Sequence, residues 1–155
     1  MIPRSNVRAV AAWGTASFEN DAASDWFLRV EEAVDPGAVI ASAIDHALGD
    51  ADYLELDASC EAIAAAELSA PCAGQAPARL PDRVRGWVDA NPHQPHDSEI
   101  EQAVQAVSRV RAESELRELW DEAVEGQENE WLREIGDLIA RLRRSGAGDP
   151  ATLSP

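Results

Sequence analysis

The chain has 155 residues, 29 of them Asp or Glu and 13 of them Arg with no Lys, for a formal net charge of −16. A domain of this length buries roughly 70% of its unfolded surface, enough for a core that needs neither metal nor disulfide. The charge opposes phosphate, so nucleic acid and anionic membrane surfaces are excluded as direct partners, and no apolar run approaches the roughly 20 residues of a membrane span.

Met1 to Ala12 contains only Val10-Ala11-Ala12 as an apolar stretch, short of the ~7–15 residues of a secretory core, so a cytoplasmic protein is expected. Residues 1–12 read as a flexible N-terminal extension, 13–144 as a helical domain and 145–155 as a flexible tail. Asn20 or Asp21 caps the first predicted helix, whose inward residues are Trp26, Phe27 and Val30. Asp35-Pro36 is a strong start for the second, an acceptor followed by Pro at the first position. Behind it Ile40, Ala43, Ile44, Ala47 and Leu48 follow the i, i+3, i+4, i+7, i+8 pattern, and Gly49 ends the helix. Tyr53-Leu54-Glu55-Leu56 looks like a strand but is too short and isolated to build a sheet.

Asp57 is expected to cap a third helix carrying Cys60, Ile63, Ala64 and Leu68, with an Ala-rich middle suited to close helix approach. Ser69 to Leu80 reads as a loop from its Pro and Gly content. Pro81 opens a short helix with Val84, Trp87 and Val88 inward, and Asn91 to Asp97 forms a second loop. Ser98 and Glu101 have the spacing of a capping box, ahead of a helix with Ile100, Val104, Val107 and Val110 or Arg111 on one face. Ser114 restarts a helix with Leu116, Leu119, Trp120 and Ala123 inward. Gly126 breaks it, and a last helix runs through Trp131, Ile135, Leu138 and Leu142. The expected fold is all-α, a single-domain irregular bundle of about seven helices.

Chemistry is sparse. On a continuous helix Cys60 and Cys72 would stand about 18 Å apart, far beyond disulfide reach, so free thiols are expected. His93, His96 and Asp97 form the one metal-like cluster, but a Pro-punctuated loop does not fix which way such residues face. It is therefore a weak metal site, and no cofactor is expected. Asp50-x-Asp52 fails as a calcium loop, because Leu54 and Glu55 occupy the positions that need an oxygen ligand and a Gly. No phosphate loop, dinucleotide fingerprint or nucleophile elbow is present.

The acidic density carries more. Residues 113–137 hold ten acidic residues against Arg117 and Arg133. Glu115, Glu118, Glu122 and Glu125 share a helix face, with Asp121 beside them and Glu128 following. Like charges at i, i+4 cost a helix about 0.2–0.5 kcal/mol per pair, and a purely structural helix would gain by mixing signs. These six residues are the expected contact surface for a basic protein partner, and the expected role is that of a non-enzymatic binding protein, an immunity-type inhibitor of a basic toxin or nuclease. Two alternatives stand beside it: a small metal-dependent or hydrolytic enzyme using the His93–Asp97 loop, and a regulatory or scaffold helical module.

Trp13-Gly14-Thr15-x-x-Phe18-Glu19-Asn20-Asp21-x-Ala23-x-Asp25-Trp26 resembles the opening signature of a bacterial family of domains of unknown function. Asp52-Tyr53-Leu54-Glu55, Ala64-Ala65-Ala66-Glu67, Leu80-Pro81, Trp87 and Ser114 to Trp120 resemble it too, over about Trp13 to Leu142. Met1 to Ala11 precede the point at which members commonly begin. The resemblance implies no activity. Physically, Trp13, Gly14, Phe18, Asn20, Asp21 and Trp26 read as an anchor for the fold: Trp13 and Phe18 to plug the core, Gly14 for a sharp turn, Asn20 or Asp21 to cap the first helix, and Trp26 inward on it.

Overall fold

A computed structural model describes residues 16–49, 53–72, 80–91 and 96–147, with the side chains at 71–72 and 145–147 outside it. Within it run seven helices, α1 (Asp21–Glu32), α2 (Pro36–Ala47), α3 (Leu56–Cys72), α4 (Asp82–Ala90), α5 (Asp97–Ala112), α6 (Glu115–Ala123) and α7 (Glu130–Ala147). No strand occurs among the described residues, and the chain forms one all-α domain.

The centre of the bundle is α3, which packs against each of the other six helices. Its composition explains the position. Ala62, Ala64, Ala65, Ala66 and Ala70 are fully buried, and Cys60, Ile63 and Leu68 are buried with them. A helix apolar on nearly all sides belongs in the interior, and alanine lets neighbouring backbones approach closely. The α5–α7 pair closes the bundle beside it, through Ile100, Ala103, Val104, Val107 and Val110 of α5 and Trp131, Ile135, Leu138 and Leu142 of α7, all buried. On α5 the inward residue of the last turn is Val110, and Arg111 is exposed.

Several helix boundaries follow the local chemistry. Asn20 caps α1, its Oδ1 accepting from the Ala23 N–H at 2.8 Å, and Asp21 is the first helical residue. Asp35 caps α2 by accepting from the Ala38 N–H, with Pro36 at the first position. Ser114 caps α6, its Oγ accepting from the Arg117 N–H at 3.0 Å and donating to the Val110 carbonyl at 2.6 Å. Beyond α6, Gly126 takes φ +76°, a left-handed conformation that glycine adopts without a Cβ penalty.

Three boundaries depart from the sequence expectation. Helix α3 starts at Leu56, so Asp57 lies in its first turn and not at its cap. It also continues through Ser69 and Ala70 to Cys72, where a loop was expected. Pro71 falls at the very end of the helix, and the complete burial of Leu68 and Ala70 favours extending the helix to it. The Ser98–Glu101 capping box does not form, because α5 begins two residues earlier: His96 is its cap residue and makes no side-chain capping bond. Asp97 and Glu99 instead place negative charge in the first turn, which the helix dipole favours.

Tyr53 to Glu55 is a connector, not a strand, and Leu56 opens α3. Leu54 is buried and its carbonyl accepts from the Glu115 N–H at 2.9 Å. The Glu115 Oε1 accepts in return from the Leu56 N–H at 2.9 Å. The start of α3 and the start of α6 are thus tied through their backbones.

Candidate functional site

The anchor predicted at the N-terminus is only partly within view, since Trp13 and Gly14 lie outside the described residues. Phe18 is buried and meets Phe27 edge-on, ring centroids 5.7 Å apart at 78°. Phe27 meets Trp87 in the same manner at 6.0 Å and 83°, and the Arg83 guanidinium lies over the Phe27 ring at 5.3 Å. Trp26 is 2% exposed. Phe18 and Trp26 thus lie in the core, and Asn20 at the cap of α1.

The metal-like cluster cannot be assembled from the described residues: His93 lies outside them, and His96 and Asp97 are exposed at the start of α5. Among the described residues no group of three or more His, Cys, Asp or Glu could hold a metal ion. Cys60 is buried and free; burial pushes its thiol well above the ordinary range, and the charges of Asp57, Glu61 and Glu115 add to the shift. The Cys72 side chain lies outside the described residues.

The acidic helix α6 divides its carboxylates between two jobs. Glu115 is half-buried and holds the Leu56 backbone, so it is a structural residue and not an open contact point. Glu118 is exposed and accepts a hydrogen bond from the Tyr53 hydroxyl. That phenol is held above its ordinary range by desolvation, then by the bond to Glu118 and the charges of Glu118 and Glu115. Asp121 pairs with Arg117 at 2.9 Å and accepts from the Asn129 amide at 2.9 Å. Glu128 pairs with Arg133. Glu122 and Glu125, both exposed, have no ion pair or side-chain hydrogen bond among the described residues. The structure thus brings Glu118, Asp121, Glu122, Glu125 and Glu128 onto the surface of one short helix and the turn after it.

A second polar cluster lies inside the protein. Glu67, on the central helix, and Arg141, on α7, form an ion pair whose side chains are 4% and 7% exposed. The Ser17 hydroxyl donates to Glu67, and Arg141 Nε donates to Asp137 at 2.8 Å. Burial works against the Arg141 charge, but the hydrogen bonds and charges of Glu67, then those of Asp137, outweigh it and hold the guanidinium above its ordinary range. Sequence reasoning missed this pair. The available signal was a Glu at the end of an alanine run, on a helix otherwise apolar all round.

Arg109 was also missed as a clamp. From α5 it donates to the carbonyls of Ala47 and Gly49, placing a cation at the C-terminus of α2, where the helix dipole favours it.

A cleft of about 590 Å³ opens between α1, α2 and the start of α3. Trp26 and Ala43 line its apolar base, and Arg29, Ser42, His46, Glu55 and Glu61 bring polar groups to it. Arg29 and Glu61 pair across it at 2.9 Å.

An acidic all-α bundle wound around one buried helix, with carboxylates gathered on a short surface helix, is the class of protein these features define. No helix among the described residues is long and apolar enough to cross a membrane. The chain belongs to the family described as "Domain of unknown function (DUF4259)", whose model matches residues 11–134. That span takes in α1 to α6 and the opening of α7. No curated protein and no solved structure matches the chain.

Proposed function

We propose that the protein is a non-enzymatic binding domain that recognises a basic partner protein through α6 and the following turn, as an immunity-type inhibitor of a basic toxin or nuclease in the bacterial cytoplasm. One observation carries the reading: Glu122 on α6 and Glu125 in the turn after it stand exposed and uncompensated among the described residues, beside Glu118 and Asp121, with α6 fixed at its start by the Ser114 cap and the Leu54–Leu56 bonds. A helix backbone already ordered by its cap spares a basic partner that part of the entropic cost of association. The overall charge of −16 adds long-range attraction, able to raise association rates toward about 10⁸ M⁻¹s⁻¹ at low salt.

The test begins with co-purification from the native cell at low salt and identification of the bound protein. Its association rate is then measured with the wild type and with Glu122→Arg/Glu125→Arg. Reversal should slow association several-fold at low salt, and the difference should shrink as salt screens the field. The dissociation rate and the thermal midpoint should change far less. Recovery of no basic partner, or equal association rates for the two proteins, overturns the reading.

A further inference from the structure

We infer that the cleft between α1, α2 and α3 is a binding site for a small organic cation with an aliphatic body, of the linear diamine class. The site is separate from the α6 surface and does not depend on the reading given to it.

The space exists because the residues around it are small. Ala38, Ser42 and Ala43 on α2 and Ala58 on α3 face the gap, where helices packing only against one another would be filled to interior density by longer side chains. At about 590 Å³, it falls within the ~300–1,000 Å³ typical of small-molecule sites. Its base, with Trp26 and Ala43, suits a hydrocarbon.

The polar groups select the charge. Glu55, Ser42 and His46 make no side-chain hydrogen bond among the described residues, and Glu61 is bonded through one oxygen only, to Arg29. A carboxylate is an acceptor, and a hydroxyl and a neutral imidazole can each accept. Arg29 is the one permanent donor of the lining, and Glu61 already neutralises it. Among the carboxylates and the guanidinium of the lining, Glu55 and Glu61 stand against Arg29 alone. The site thus has acceptors in excess, more carboxylate than guanidinium and an apolar base, the complement of an ammonium group on a hydrocarbon chain. The lining favours two such groups. Glu55 stands immediately before α3 and Glu61 lies in its second turn, so the two carboxylates reach the cleft from separate points of the chain. A six-carbon α,ω-diamine has an ammonium group for each.

The experiment is isothermal titration calorimetry of the full chain with 1,6-diaminohexane at neutral pH and about 0.15 M salt, where diffuse attraction is screened beyond ~8 Å. Adipate, the matched dianion, is the comparison ligand. Expected is saturable binding of one diamine per chain and none of adipate. Glu55→Gln should weaken the diamine by roughly tenfold or more, the scale of one charge-assisted hydrogen bond. Ala58→Leu should abolish binding by filling the gap, with helicity and thermal midpoint retained, since leucine is a good helix former. Glu122→Arg/Glu125→Arg should leave it unchanged, which separates this site from the α6 surface. Non-saturable diamine binding, equal binding of adipate, or full affinity in Glu55→Gln or in a folded Ala58→Leu overturns the inference.

Discussion

The buried Glu67–Arg141 pair allows a sharp test of what holds the bundle together. Changing Arg141 to Met keeps much of the side-chain volume and removes the charge. Glu67 is then left 4% exposed, with the Ser17 hydroxyl its one remaining partner in the cluster. A buried carboxylate stripped of its cation costs about 3–5 kcal/mol, a large part of the roughly 5–15 kcal/mol by which domains are stable. Changing both residues to Met removes the uncompensated charge together with its partner. Such replacements are often neutral or stabilising by about 1–4 kcal/mol, so the double variant should recover most or all of the loss. Urea unfolding followed by far-UV circular dichroism measures both effects, and the four proteins of the cycle give the coupling. Glu128–Arg133, whose side chains are 69% and 67% exposed, is the control: solvated pairs contribute little, and removing Arg133 should barely move the midpoint. An Arg141→Met loss below about 1 kcal/mol, the size of an ordinary surface or minor packing change, would refute the assignment of a buried, mutually dependent pair. So would a double variant as damaged as the sum of the two singles.

Ser114→Ala should destabilise the protein by about 1 kcal/mol, typical of a lost cap, whereas Ser114→Gly should cost less; chemical denaturation compares them. Trp120→Ala should cost roughly 3–5 kcal/mol by truncating a buried aromatic, and Trp120 is 6% exposed. Cys60 should resist a thiol reagent in the native state and react promptly in urea, because the buried thiol is held protonated. The sign of the linked stability follows: with the folded thiol raised above its ordinary value of 9.0, Cys60 favours folding fully below that pH and loses this contribution as pH rises beyond it. A denaturation series above pH 9 in wild type and Cys60→Ser should show the extra slope only in the wild type.

Helix starts were legible where a local side chain creates them. Asn20, Asp35 and Ser114 each satisfy an orphan N–H three residues on, a relation written in adjacent sequence. The inward stripes of α5 and α7 were legible for the same reason, being set by a 3.6-residue repeat. Helix ends governed by tertiary burial were not. The proline at 71 argues locally for a loop, yet the neighbours of Leu68 and Ala70 decide otherwise. Partnerships distant in sequence were hidden altogether: nothing near Glu67 announces Arg141, 74 residues away, and nothing near Arg109 announces the end of α2. The acidic face was legible as a density of charge, but its division into working and open carboxylates was not. Glu115 looks like its neighbours in a helical projection, yet it is half-buried and engaged by the Leu56 backbone.

The placement of the arginines gives the charge imbalance a structural meaning. A chain at −16 repels itself, and its few cations must act where they oppose that repulsion best. Arg29 joins α1 to α3 through Glu61, Arg83 joins α4 to α1 through Glu31, Arg109 joins α5 to α2, and Arg141 joins α7 to α3. Each bridges two helices distant in sequence, and the guanidinium fork suits this because it can serve two acceptors at once, as Arg109 does with Ala47 and Gly49 and Arg141 with Glu67 and Asp137. Arg117 pairs with Asp121 and also donates to the Arg111 carbonyl at the end of α5, and Arg133 pairs with Glu128, leaving Glu122 and Glu125 without an ion pair among the described residues. The residual negative charge is therefore uneven over the fold. It is compensated where helices must be held together and left open on α6, where a solvated surface could equally have carried mixed signs.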